Sequence, residues 1–137
     1  MILQQVVRAF EALEQTPWPS AGYVKERMDT IREGSRSQDE ALALGCSAVL
    51  SVLREVLDYL YEMDEEIGKG FGVSALLAEF ERTRHHLRPS LRAIKVALET
   101  SAFPDIVQAQ QALGQRWISF EKEDVSGVVR RGGAKVR

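Results

Sequence analysis

The chain has 137 residues and a mass of 15.4 kDa, a size that supports one domain with a single core. Apolar residues make up 45% of it and charged residues 28%, the balance of a globular protein and not of a disordered one. The formal net charge of -2 supplies no overall positive field for a phosphate backbone, so we expect no direct nucleic-acid binding.

The cysteine count and the N-terminal sequence point to a reducing compartment. Cys46 is the only cysteine, so an intramolecular disulfide is excluded, and no Cys/His spacing resembles a zinc site. The N-terminal residues 1–5 lack a basic region and a long apolar run, which argues against a secretory leader. No stretch approaches the roughly 20 apolar residues that span a bilayer. We therefore expect a cytoplasmic protein with no membrane contact.

Apolar residues recur at three- and four-residue steps along almost the whole chain, which predicts an all-α fold. The pattern is most regular between Leu42 and Met63, so this stretch is predicted to form the spine of the core. The predicted helices cover about 2–15, 22–33, 38–64, 74–87 and 91–98, with a last long helix starting at Pro104. The expected architecture is a bundle of five to six helices forming a single domain over residues 1–137.

Local sequence signals set the predicted helix ends. Ser37 with Glu40 reads as a capping box that opens the third helix. The segment 68–72 contains three glycines and is predicted to be a flexible turn. Pro89 disfavours helical geometry in the residue before it and is predicted to separate the fourth and fifth helices. Gly132 and the glycine after it are expected to end the last helix.

Three other groups of residues are interpreted as structural. Cys46 has apolar neighbours, which favours a buried thiol over a nucleophile. Glu81 and His85 lie one helical turn apart but supply too few ligands for a metal ion, and His86 points elsewhere. The carboxylates within 62–66 are typical of a solvated helix end. The sequence therefore predicts no metal, no cofactor and no catalytic residue.

The stretch 31–36 has the composition of a phosphate-binding turn. Arg32 and Arg36 flank Gly34 and Ser35 at a helix boundary, and another helix begins close by. Guanidinium charge, close backbone approach at a glycine and a helix N-terminus together suit a phosphate group. A simple tight turn between two helices explains the same residues, and both interpretations stay open.

Three segments in chain order resemble the N-terminal helical region of the translation initiation factor 2B-related family. Residues 31–35 resemble its Arg-Gly-Ala/Ser segment, although Glu33 is inserted here. Residues 88–94 resemble its Arg/Asn-Pro-Ser/Thr helix start, and residues 117–136 resemble its helix closing on Gly-Ala-x-Ile/Val. The family comprises regulatory alpha, beta and delta subunits, methylthioribose-1-phosphate isomerases and ribose-1,5-bisphosphate isomerases.

The resemblance implies a non-catalytic helical domain that lacks the family's C-terminal Rossmann-like domain, with residues 132–137 starting the link to it. Such a domain would pack on that domain or on a related subunit and form one wall of a sugar-phosphate or nucleotide pocket. The phosphate-side candidates are then Arg32, Gly34, Ser35 and Arg88. The catalytic cysteine and aspartate of the isomerases belong to the absent domain, so no isomerase activity is expected of this chain.

A second hypothesis is a stand-alone helical adaptor that binds another protein through an apolar groove. Trp18, Phe71 and Trp117 would be exposed in a lone domain, which is compatible with a homodimer. The two hypotheses differ at Arg32, because Arg32→Ala weakens sugar-phosphate or nucleotide binding only under the first. Under the second, partner binding is unchanged by that substitution.

Overall fold

The computed structural model describes the backbone of residues 2–100 and 103–132. Within these ranges it describes every side chain except those of residues 68, 69, 71 and 124–132. Over these residues the chain forms five α-helices and no strand, so the predicted all-α bundle is confirmed. The helices are α1 (Ile2–Gln15), α2 (Ala21–Gly34), α3 (Glu40–Phe71), α4 (Val73–Thr100) and α5 (Phe103–Gly132). None of these helices, as described, is long and apolar enough to cross a membrane.

Helices α3 and α4 form the central pair of the bundle. The α1–α2 hairpin packs on one side of this pair, with α1 against α4 and α2 against α3, while α5 packs against α3 and α4. The predicted spine is confirmed, because every residue of the α3 stripe is buried. These residues are Leu42, Cys46, Val49, Leu53, Val56, Leu60 and Met63. Burial of each large apolar side chain stabilises the fold by about 1.5–3 kcal/mol.

The connection between α1 and α2 is tied to the bundle by Trp18. Its side chain is 2% exposed, and its Nε1 donates to the carbonyl of Leu13 at 3.0 Å. This bond satisfies one of the carbonyls that the end of α1 leaves without a helical partner. Trp117 is also 2% exposed, so the expectation that Trp18 and Trp117 are exposed is wrong. The side chain of Phe71 lies outside the described side chains.

Helix α3 is capped by Asp39 and not by the predicted capping box. The Asp39 carboxylate accepts from the amides of Ala41 at 3.0 Å and Leu42 at 3.2 Å. The Ser37 hydroxyl instead accepts from the amide of Asp39 at 3.0 Å, so the predicted pairing of Ser37 with Glu40 is wrong. Because Asp39 directly precedes α3, its carboxylate reaches the first amides of the helix. The negative charge also interacts favourably with the positive end of the helix dipole.

Helix α3 continues through most of the glycine-rich segment that was expected to be a turn. It runs to Phe71, and only Gly72 departs from helical geometry, with φ at 88°. That left-handed value is one that glycine adopts without steric cost. The half-buried Ile67 packs against the core beyond Met63, and this packing outweighs the low helix propensity of the glycines.

Helix α4 passes through Pro89 without interruption, so the predicted division into two helices is wrong. A proline inside a helix lacks the amide that would bind the carbonyl of the preceding turn. Pro89 lies on the exposed side, while Leu87 and Leu91 on either side of it are fully buried. Their packing holds the helix together, and the bundle therefore has five helices over the described residues.

Helix α5 begins at Phe103, one residue before the predicted start, and places Asp105 in its first turn. Its described backbone is helical as far as Gly132, and the predicted end of the helix falls at the limit of the described residues. The rest of the predicted link, residues 133–137, lies outside the described residues.

Candidate functional site

Arg32 lies at the end of α2, where its guanidinium is bound by its own helix. Its Nη1 donates to Asp29 Oδ1 at 2.8 Å, and its side chain keeps 38% of its surface exposed. The adjacent carboxylate of Glu33 accepts from Arg36 at 3.2 Å. Arg32 is therefore accessible from solvent, but an incoming anion competes with Asp29 for it.

Gly34 is buried where the end of α2 meets both α1 and α3. A Cβ added to Gly34 would lie 2.7 Å from Cys46 Sγ and 2.7 Å from Val6 Cγ2. Such distances are too short for non-bonded atoms. The close packing of three helices thus accounts for a glycine at this position without a ligand.

The polar groups of the turn after α2 are already bound within the protein. The Ser35 amide donates to the Arg32 carbonyl at 3.0 Å, and the Ser35 hydroxyl donates to the same carbonyl at 2.6 Å. The amides of Arg36 and Ser37 also donate to carbonyls of α2, at 3.1 Å each. Because the Asp39 carboxylate covers the first amides of α3, the turn offers a phosphate few backbone donors.

Arg88 lies in a different part of the molecule, beside the end of α1. Its Nε donates to Glu14 Oε2 at 3.4 Å, and Glu14 is only 1% exposed. On α1, Glu14 marks the position of Arg88, and Val6 marks the position of Gly34. These two residues are eight positions apart, so Arg88 and the turn after α2 are separated by about 12 Å along the axis of α1. The structure brings three of the predicted residues into one turn and leaves Arg88 apart from them.

A cluster of charged residues surrounds Glu14 between α1 and α4. Arg84 is 7% exposed and donates to the Glu14 carbonyl, and its Nε donates to Glu81 Oε1 at 3.0 Å. The hydrogen bonds from Arg84 hold the pKa of Glu81 below its usual value. Among the residues that the structure describes, Oε1 of Glu14 finds no hydrogen-bond partner. These contacts join α1 to α4, and we interpret the cluster as a structural clamp.

Cys46 and the histidine pair lie on different helices, α3 and α4. Cys46 is fully buried, and burial raises its pKa to about 12, so the thiol stays protonated at neutral pH. The Nε2 of His86 lies 3.1 Å from the carbonyl oxygen of Arg116, while His85 is exposed. Within the described part of the chain, no three His, Cys, Asp or Glu residues are grouped so as to hold a metal ion.

An aromatic cluster fixes α5 against α3 and α4. Tyr59 meets Trp117 edge-on at 5.7 Å between ring centroids and Phe120 at 5.5 Å. The Arg82 guanidinium lies 4.4 Å from the Phe120 centroid, and the Tyr59 hydroxyl donates to Glu79 at 2.9 Å. Edge-on ring pairs and a cation over a ring are each stabilising arrangements. The partners of Trp117 and Phe120 lie on α3 and α4, far away in the sequence, so helical spacing along α5 did not predict them.

Two arginines that the sequence analysis did not single out face the same cleft. A cavity of about 440 Å³ between α1 and α2 is lined by Gln5, Arg8, Ala9, Ala12, Arg27 and Thr30. Arg8 and Arg27 belong to different helices, so no short sequence motif contains both. Only the antiparallel packing of α1 against α2 brings them together.

Helix α5 also exposes large apolar side chains along one face. Phe103 is 45% exposed, Val107 36% and Ile118 47%. Gly114 lies between them at helical spacing, and a Cβ added there would meet nothing within 4 Å. We call Phe103, Val107, Gly114 and Ile118 the α5 apolar face.

The α5 apolar face adjoins α3. Gln110, on the same side of α5, donates from Nε2 to the carbonyl of Gly45 at 2.8 Å. Leu44, the neighbour of Gly45 on α3, is 56% exposed. Helix α3 thus also carries an exposed apolar residue one position from its contact with Gln110.

No family model matches the sequence, and comparisons with curated proteins and with solved structures find no similar chain. The resemblance to the initiation factor 2B-related family stays a prediction from the sequence segments that carry it.

Proposed function

We propose that this chain is a non-catalytic helical domain that acts by docking on another protein, with the α5 apolar face receiving a helix of a partner domain or subunit. The observation that carries the proposal is the exposure of Phe103, Val107 and Ile118 around Gly114 on a single helix face. Exposed apolar surface of this kind is typical of interaction sites.

Gly114 is the residue that favours a helix as the occupant. A glycine inside a helix costs about 0.5–1 kcal/mol relative to alanine. No contact with the described residues requires its small size, because a Cβ there would meet none of them within 4 Å. A missing side chain lets a second helix come close, so that the large residues flanking Gly114 can pack around it.

The identity of the partner depends on which sequence hypothesis holds. Under the resemblance, the partner is a Rossmann-like domain or a related subunit, and Arg32 and Arg88 face a sugar phosphate or nucleotide between the two. In that arrangement Arg32 leaves its ion pair with Asp29 and binds the ligand instead. Arg88 likewise leaves its ion pair with Glu14. Under the adaptor hypothesis, the partner is an unrelated protein and these two arginines are not involved.

The test is native purification of the tagged chain from its own cells, compared with the variants Ile118→Asp and Val107→Asp. We expect the unchanged chain to elute in a stoichiometric complex larger than 15.4 kDa. Each aspartate places a charge in the apolar interface and dissociates the complex. A complex containing only this chain would identify the occupant as a second copy.

Ser119→Asp is the matched control, since Ser119 is exposed on α5 but outside the α5 apolar face. It adds the same charge to the same helix and should leave the complex intact. All four proteins should unfold at similar temperatures, because none of the three positions is buried. Equal dissociation by all three aspartates, or by none, contradicts the proposal.

A further inference from the structure

The cleft between α1 and α2 combines positive charge with open space, and neither the docking proposal nor the resemblance uses it. Arg8 on α1 and Arg27 on α2 both line it. No lining residue is a carboxylate. The cavity volume of about 440 Å³ lies within the range of small-molecule sites.

Arg27 has its position partly fixed before any ligand arrives. Its guanidinium lies 4.4 Å from the centroid of the Tyr23 ring, and its Nη2 donates to Glu26 at 3.2 Å. Glu26 is 71% exposed, so this ion pair is weak and readily exchanged. Stacking on Tyr23 holds the guanidinium plane while leaving its edge available for hydrogen bonds.

Arg8 complements Arg27 from the opposite wall. Arg8 is exposed, and within the described part of the chain it makes no hydrogen bond or ion pair. Its five N–H donors are therefore directed to solvent. Two guanidinium groups facing one space repel each other, and an anion between them removes that repulsion.

The remaining lining residues suit a compact oxyanion. Ala9 and Ala12 form a floor of small side chains on α1, which leaves room near the helix surface. Gln5 and Thr30 add a neutral amide and a hydroxyl, and both can donate hydrogen bonds.

The acidic residues nearby on α2 do not cancel this charge. Asp29 is bound by Arg32 at 2.8 Å and lies 3.7 Å from Lys25. Glu33 is bound by Arg36 at 3.2 Å. Of the carboxylates that the structure describes, only the exposed Glu26 is paired with an arginine of the cleft.

We propose that the α1–α2 cleft is a binding site for a phosphate group, held between the guanidiniums of Arg8 and Arg27. Guanidinium groups bind phosphate through paired, charge-assisted hydrogen bonds, which ammonium groups cannot reproduce. The chemical class is free phosphate or the phosphomonoester end of a small molecule. A polymer of phosphates is disfavoured by the net charge of -2.

The test is a titration of the ¹⁵N-labelled chain by NMR with inorganic phosphate and, separately, with methyl phosphate. Ionic strength is held constant with sodium chloride. We expect saturable shifts at the Arg8 and Arg27 Nε–H groups and at the amides of Ala9, Ala12 and Thr30. Tighter binding of methyl phosphate identifies a phosphomonoester ligand, and tighter binding of inorganic phosphate identifies the free ion.

Variants Arg8→Gln and Arg27→Gln should each weaken phosphate binding about fivefold or more, since each removes a charged pair of donors. Arg27→Lys keeps the positive charge but removes the planar guanidinium. This variant should also bind phosphate more weakly than the unchanged chain. Arg92→Gln is the matched control, because Arg92 is an exposed arginine on α4 that makes no ion pair with described residues. It should bind phosphate like the unchanged chain.

Three results would overturn the proposal. Shifts that stay linear and match those of chloride mean that the cleft has no phosphate site. Shifts confined to the turn of Arg32, Gly34 and Ser35 place the phosphate where the sequence resemblance implied. Equal weakening by Arg92→Gln and Arg8→Gln means that only overall charge matters.

Discussion

Gly34 and Cys46 approach so closely that any side chain at position 34 would collide with the Cys46 sulfur, 2.7 Å from the place of a Cβ. Val6 of α1 stands equally close on the other side. This one glycine therefore lets α2 end against α1 and α3 together. A glycine that the sequence offers as a phosphate cradle is accounted for by helix packing.

The first prediction concerns this contact. Gly34→Ala should lower the free energy of unfolding by about 1–3 kcal/mol, because the added methyl group forces α1 or α3 to move. The measurement is the urea midpoint followed by circular dichroism. Gly114→Ala is the matched glycine substitution: its Cβ meets nothing within 4 Å, so it should stabilise the isolated chain by about 0.5–1 kcal/mol.

If Gly34→Ala leaves the urea midpoint unchanged, the three helices do not meet as described. Gly114→Ala has a second expected effect, since its methyl group enters the space in which a partner helix would pack. It should therefore weaken the complex while stabilising the free chain. Stabilisation with no effect on the complex contradicts a close helix contact at Gly114.

The thiol of Cys46 should be inert in the folded protein. Burial raises its pKa from 9.0 to about 12, so almost no thiolate exists at neutral pH. A disulfide-exchange reagent should label the thiol at the rate of unfolding, and at once in urea. Rapid labelling of the folded chain at neutral pH contradicts the burial of Cys46.

The same shift of the Cys46 pKa predicts a pH effect on stability. Above pH 9.0 the unfolded chain loses the thiol proton while the folded chain keeps it, up to a pH of about 12. Ionisation of the thiol in the unfolded chain stabilises the unfolded state relative to the folded one. The stability that the neutral thiol contributes is therefore complete below pH 9.0 and declines between pH 9.0 and about 12. The unchanged chain should lose stability more steeply than Cys46→Ala as pH rises above 9.0.

Arg88 is predicted to matter for stability through Glu14. Arg88→Ala removes the ion-pair partner of a carboxylate that is 1% exposed, which should cost about 1–3 kcal/mol. In a Glu14→Gln background the same substitution should cost much less, because no buried charge is left behind. A double-mutant cycle by urea unfolding measures the difference. Additive effects would show that the two side chains do not interact.

Glu81 predicts a smaller, acid-side effect. Hydrogen bonds from Arg84 lower the pKa of Glu81 in the folded chain. The stability that Glu81 contributes is therefore fully present above its unfolded pKa of 4.5, and it is lost as the pH falls through the lower pKa of the folded chain. Glu81→Gln should flatten the acid limb of the stability curve by less than about 1 kcal/mol, since Glu81 is half-exposed. An unchanged acid limb contradicts the pairing with Arg84.

Helical periodicity predicted the core well, because burial of an apolar face dominates helix stability. The residues of the α3 stripe between Leu42 and Met63 are buried as expected. The boundaries at the glycine-rich segment and at Pro89 were wrong for one physical reason. Local helix breakers cost about 1 kcal/mol for glycine and about 3 kcal/mol for proline, and the packing of neighbouring apolar residues outweighs that cost.

The candidate sites were much harder to predict. The turn of Arg32 and Gly34 is contiguous in sequence and therefore visible as a motif, yet its donors are used by the fold itself. Arg8 and Arg27 are far apart in sequence and meet only through the packing of α1 on α2. Single-sequence patterns carry no information about such a pair before the tertiary arrangement is known.

The most direct test of the docking proposal is site-specific photo-crosslinking in the protein's own cells. A photo-reactive amino acid replaces Ile118 in one protein and Ser119 in another. Because successive residues of a helix point about 100° apart, the two positions report on different faces of α5. The proposal predicts one discrete adduct at position 118, identified by mass spectrometry, and none at position 119. Equal adducts at both positions, or none at 118, would show that the α5 apolar face does not receive a partner.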